Sequence, residues 1–129
     1  MVTLKQLLYI FANTYYLKGV EMPHFLVKGN YTAEGSKGLL GEGGSSRIDQ
    51  ARSLIESMGG SLECMYFSYG EDDIVGICEM PDNASAAAVS LTVSSTGAVN
   101  VSLTPLITAE EIDAASGKAK DLAYRPPGS

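Results

Sequence analysis

Tryptophan is absent from this chain, histidine occurs once and cysteine twice. A single imidazole, His24, excludes a multi-histidine metal site within one chain. Cys64 and Cys78 match neither a zinc-ligand spacing nor a Cys-x-x-Cys redox motif. They read as two reduced, partly buried thiols of a cytoplasmic protein. Positive charge is scarce as well: nine Lys and Arg stand against fifteen Asp and Glu, for a net charge of −6, with no basic cluster. Nucleic acid and anionic membrane surfaces both select clustered cations, so neither is an expected partner. No apolar run is long enough to span a bilayer.

What is present suits one folded domain. The 129 residues are 45% hydrophobic and 19% charged, enough for one core and too apolar for a disordered chain. Residues 1–21 stand apart as an N-terminal extension. Leu4, Leu7, Leu8, Ile10, Phe11 and Leu17 are interrupted by Lys5, Gln6, Asn13, Thr14 and Lys18. This stretch reads as a segment upstream of a natural start at Met22, with an amphipathic helix packed on the domain, or a secretory signal, as the other readings. The domain is expected over 22–117 and a flexible tail over 118–129.

His24 to Tyr31 alternates, with Phe25, Val27 and Tyr31 on one side and His24, Lys28 and Asn30 on the other, which predicts a first strand. Thr32 to Ser46 carries five glycines, which argue against a long helix and leave room for a short one, capped by Thr32, around Leu39 and Leu40. Ile48, Ala51, Leu54, Ile55 and Met58 fall on one face of a helix from Arg47 to Met58, stopped by Gly59-Gly60. Ser61–Ser68 and Asp73–Met80 read as a hairpin. A turn centred on Glu71 would set Phe67 against Val75, Met65 against Ile77 and Cys64 against Cys78. Asp82 caps a helix with a stripe of Ala84, Ala87, Ala88 and Leu91. Val99, Val101 and Leu103 mark a fourth strand, and Thr108-Ala-Glu-Glu111 a capping box on a last short helix.

The order β-α-β-β-α-β predicts an α+β, ferredoxin-like domain: a four-stranded antiparallel sheet with both helices on one face. The other face would lie bare, with Leu26, Leu62, Ile74 and Met80 on it, and a homodimer with sheets face to face is the simplest cover.

Several segments carry a family resemblance: Tyr31-Thr-Ala-Glu-Gly-Ser-Lys-Gly38, Gly43-Gly-Ser-Ser-Arg47, Met58-Gly-Gly60, Tyr66-Phe-Ser-Tyr-Gly70 and Pro81-Asp82. In this order, residues 22 to about 115 resemble the GYD family, small proteins of the dimeric α+β-barrel, ferredoxin-like type. The resemblance implies that fold and a dimer, and no activity. Where the family name denotes Gly-Tyr-Asp, this chain has Gly70-Glu71-Asp72-Asp73. Aligning Gly70 and Asp73 puts Asp72 in place of the aromatic.

Candidate chemistry is sparse. Gly41 to Arg47 ends where a helix begins and could hold an anion on backbone N–H groups, with Arg47 adding charge, though it lacks the Gly-Lys-Ser/Thr of a phosphate-binding P-loop. Its plain reading is a loop with Ser46 as helix cap. Glu71, Asp72 and Asp73 lack calcium-loop spacing and read as a solvated turn, with Asp73 bonding the turn backbone. His24, Cys64, Tyr66, Cys78 and Ser102 could share the bare face, where an imidazole near a thiol would form a nucleophilic pair and a dimer could double the ligands for a metal. The plainer alternative is two packing thiols and a surface histidine. No metal or cofactor is called for. Tyr31, Lys37 and Arg47 could converge over the sheet edge as a pocket rim, with Tyr66 as a further pocket candidate. Two function classes remain: a non-catalytic binding, regulatory or scaffold module, preferred because no acid–base or nucleophile constellation stands out, and a small-molecule-binding protein or cofactor-independent enzyme with a pocket between sheet and helices.

Overall fold

The computed structural model describes residues 2–8 and 22–129. Residues 4–8 form a helical turn capped reciprocally by Thr3 and Gln6, with Lys5 Nζ 3.4 Å from the Glu56 carboxylate. The remainder of the expected extension lies outside the described residues. The domain then runs β1 (His24–Tyr31), α1 (Ala33–Glu42), α2 (Gly44–Ser57), β2 (Ser61–Phe67), β3 (Ile74–Glu79), α3 (Asn83–Ser95), β4 (Val99–Leu106) and α4 (Ala109–Ala119). The sheet is antiparallel in the order β2-β3-β1-β4, the ferredoxin-like arrangement, and is open rather than closed into a barrel.

The alternation of β1 decides which face is the core. Phe25 and Val27 are buried against Cys78, Met80, Ile55 of α2 and Ala86 and Val89 of α3. Strand pairing carries the same parity across the sheet: Phe25 faces Cys78, and Val27 faces Leu103. Helices α2 and α3 therefore cover one face, where most of the apolar area leaves water.

The hairpin differs from the expected register by one residue. Phe67 faces Ile74, Met65 faces Gly76 and Cys64 faces Ile77, while a bulge at Glu63 brings Leu62 opposite Cys78. The turn sets this slip. Ser68 N–H donates to the Asp73 carbonyl at 2.8 Å, and Asp73 N–H to the Gly29 carbonyl at 2.9 Å, so β3 begins at Ile74. A one-residue slip reverses a strand's faces. Ile74, Cys78 and Met80 thus belong to the core, and Val75 and Ile77 to the bare face. Leu62, shifted by the bulge, also packs on the core. Of the four apolar residues expected on the bare face, Leu26 is the one found there, as its pairing with Ile77 shows.

Two helices differ from expectation. α1 extends over ten residues despite its glycines. The Thr32 side chain caps it at Gly35 N–H, 3.2 Å away, and also donates to the Gly97 carbonyl at 2.8 Å. Gly35 lies so close to β4 that an added Cβ would sit 1.9 Å from the Ala98 carbonyl oxygen. In α3 the inward residues are Ala86, Val89 and Val93, while Leu91 is 71% exposed. The expected alanine stripe fails because the helix is apolar or small nearly all round. Its rotation is fixed by Ser90, whose hydroxyl donates to the Val101 carbonyl at 2.8 Å, and Ser94, which accepts from Val101 N–H at 3.1 Å. The Asp82 cap forms as expected, with Oδ1 2.7 Å from Ser85 N; this bond holds the carboxyl below its ordinary pKa. The Thr108–Glu111 capping box forms too, opening α4, on which no residue is buried.

The two faces of α1 give opposite predictions. Gly35→Ala must displace the backbone at Ala98, just before β4, and is expected to cost about 1–3 kcal/mol, as overpacking does. Gly38 has open space around it, so Gly38→Ala is expected to stabilise by about 0.5–1 kcal/mol through helix propensity. Urea unfolding of both variants checks the signs.

Candidate functional site

The helix-covered face of the sheet does not fill completely. A cavity of about 280 Å³ remains between the sheet and helices α2 and α3. About two turns of α2 supply Arg47, Gln50, Ala51 and Leu54, spaced to share a helix face. Met65 and Phe67 of β2 and Val101 and Leu103 of β4 form the sheet side, and Val89 and Val93 of α3 close the far wall. Tyr31, at the end of β1, stands beside Arg47 at the polar end. Phe67 and Tyr31 also border a shallower recess with Ser36, Leu39, Gly44 and Asp73.

The polar end is held by the hairpin turn. Asp73 Oδ2 accepts from Tyr31 N–H at 2.9 Å, fixing the backbone from which the phenol projects. Burial raises the Tyr31 pKa; the charge and hydrogen bonding of Arg47 oppose the rise without cancelling it. The phenol is therefore neutral at physiological pH and keeps its proton to donate. Arg47 has one ion-pair partner among the described residues, Glu42, at 3.6 Å. Glu42 also accepts from the Ser46 hydroxyl at 2.6 Å. A carboxylate of the chain itself thus lies at the start of α2, where the sequence suggested a bound anion. Ser46 lies within the first turn of α2, and Gly43, with a φ of 92°, takes the cap position without a side-chain bond.

The residues singled out in the sequence divide by sheet face. Tyr31 and Arg47 come together on the cavity. Lys37 is on the outer side of α1, paired with Glu34 at 3.5 Å and 75% exposed. Tyr66 is on the bare sheet face, 70% exposed, because its parity in β2 is opposite to that of Met65 and Phe67. His24 Nε2 is engaged by Glu79 Oε1 at 3.0 Å. Cys64 shares that face with His24, but the register sets it beside Ile77 rather than His24. Cys78 is buried on the other face, so no thiol pair forms across the hairpin. Among the described residues no cluster of His, Cys, Asp and Glu could hold a metal. The acidic turn is engaged structurally: Asp72 reaches Asn30 at 3.3 Å and Lys28 at 3.8 Å, and the Asp73 carboxylate binds β1 while its backbone carbonyl closes the turn. Sequence reading missed Gln50, Met65 and Val93 as lining residues. The signal for Gln50 was there, three positions after Arg47 on the same helix.

Fold and cavity together define a ferredoxin-like α+β module with a partly apolar chamber between its two layers. The GYD domain family model matches residues 25–116, and the chain belongs to that family. Comparison with curated proteins returns no significant match, and neither does comparison with solved structures.

The two thiols give a direct check of the register. Burial pushes the Cys78 pKa up to about 11, with the neighbouring Glu79 charge adding to the effect. The reactive species is the thiolate, so in the folded protein at pH 8 iodoacetamide is expected to alkylate Cys64 while Cys78 stays unmodified. Both should react in denaturant. Peptide mass spectrometry reads the difference, and equal native labelling would contradict the assigned faces.

Proposed function

We propose that this protein is a non-catalytic small-molecule-binding module that acts as a homodimer. The observation that supports binding is the cavity of about 280 Å³, near the lower end of ligand-pocket volumes. Its wall is mostly hydrocarbon, with polar groups gathered at the Tyr31–Arg47–Gln50 end, the usual composition of a small-molecule site. No carboxylate, imidazole or thiol is among its lining residues. The Tyr31 phenol is the one lining group that could serve as an acid, and no base or thiol nucleophile lines the cavity with it, so this set favours binding over catalysis.

The bare sheet face supports the dimer. Leu26, Val75 and Ile77 are half-buried at its centre, with Tyr66 and Leu106 more exposed around them. The His24–Glu79 contact and the Lys28–Asp72 ion pair flank this apolar strip. A second copy, related by a two-fold axis, would cover apolar surface with apolar surface. Free thiols on opposite sides of the sheet suit a cytoplasmic setting. An acidic chain is a poor partner for nucleic acid or anionic membranes, and among the described residues no helix is long and apolar enough to cross a membrane.

A thermal-shift screen against a metabolite library tests the binding reading. A compound at a hundred times its Kd contributes about 2.7 kcal/mol, on the order of 10 °C for a domain of this size. A library without a single stabilising compound would count against it. Sedimentation is expected to show a dimer at micromolar concentration and a monomer for Ile77→Glu. A monomeric wild type would remove the dimer from the account.

A further inference from the structure

The cavity is chemically two-ended. Arg47 and Gln50 lie three residues apart on α2 and, with Tyr31, make one end polar. Leu54, Met65, Val93 and Leu103 continue the wall as hydrocarbon. Arg47 is the one cation among the lining residues, so a cationic ligand head is disfavoured. A phosphate dianion would need more donors and charge than one guanidinium gives in an apolar chamber. A monoanion matches both the charge and the size.

The guanidinium has capacity to spare. It carries five N–H donors, and its contact with Glu42 is a single one at 3.6 Å, longer than a close charge-assisted bond. Glu42 has a separate donor in the Ser46 hydroxyl, 2.6 Å away, and stays satisfied when Arg47 takes another carboxylate. The neutral Tyr31 phenol adds a second donor without adding charge. The N-terminal turn of α2, which carries Arg47, also presents the positive end of its dipole.

We propose that the cavity binds a small amphipathic carboxylic acid, its carboxylate held by Arg47 with Tyr31 and Gln50, its hydrocarbon part lying against Leu54, Met65 and Val93. This rests on the reading of the protein as a small-molecule-binding module and names the ligand class. The tail is short: a cavity of about 280 Å³ suits a hexanoate or phenylacetate better than a long-chain fatty acid.

The test titrates the full chain at pH 7 with hexanoate and phenylacetate, and with the neutral analogues 1-hexanol and 2-phenylethanol, following backbone amide shifts by NMR. The expected result is binding of the acids with shifts centred on Ala51, Val93 and Leu103. Arg47→Gln is expected to weaken the acids by about tenfold or more and the alcohols much less, and an amide spectrum unchanged away from the cavity shows that the variant keeps its fold. Arg47→Lys, with its charge and without the fork, should fall between the two. Alcohols that bind as tightly as the acids, with no effect of Arg47→Gln, would overturn the ligand class and leave the cavity as a binding site. Acid-induced shifts confined to surface amides would overturn the ligand class too. No shift at the cavity amides with any of the four probes would overturn the class and count against the binding reading for ligands of this size.

Discussion

Asp73 sets the geometry on which the rest of this domain depends. Its N–H donates to Gly29, its carboxylate accepts from Tyr31 N–H, and its carbonyl closes the turn by accepting from Ser68. One residue thereby fixes the register of β3 on β1 and of β2 on β3. Since side chains in a strand alternate, that register assigns every apolar residue of β3 to a face. Ile74, Cys78 and Met80 go under the helices, and Val75 and Ile77 go to the bare side. The same carboxylate positions Tyr31 at the polar end of the cavity. Fold and candidate site share this constraint, which is why the acidic turn is structural in its effect even though it is exposed at Glu71.

Incomplete filling of the core follows from the layers above the sheet. α2 contributes long side chains at Leu54 and Ile55, but α3 is built largely of alanine, serine and valine. Its small inward residues Ala86, Val89 and Val93 bring little volume to the space over β4. A sheet and helix pair with larger side chains would close to the density of ordinary protein interiors. Here the unfilled volume opens toward Arg47 and Tyr31, so the void and the polar groups coincide. The proposed binding role rests on that coincidence.

Much of the architecture was legible in the sequence, for reasons that differ by element. β1 and β4 each have one clean alternating face and form strands where read. α2 was legible from the spacing of Ile48, Ala51, Leu54 and Ile55, and the caps Asp82 and Thr108 from residue type. The hairpin register was not legible, because the bulge at Glu63 and the hydrogen bond from Asp73 to Gly29 are tertiary features with no local signature. α1 was underestimated, since glycine propensity is overridden by the Thr32 cap and by a packing contact that only glycine permits at position 35. The rotation of α3 depends on serine bonds to β4 and not on hydrophobic contrast. At the site, Arg47 and Tyr31 could be paired from their places at the ends of neighbouring elements. Lys37 and Tyr66 could not be excluded without helix phase and strand parity.

The central claim is that an open, mainly apolar chamber lies on the helix side of the sheet, next to Arg47. Apolar cavities take up xenon, so diffraction from a crystal pressurised with the gas tests this most directly. Xenon density between α2 and α3, against Leu54, Val93 and Leu103, is the expected result. A fully packed helix side, or xenon bound only against Leu26 and Ile77 on the opposite face, would contradict it.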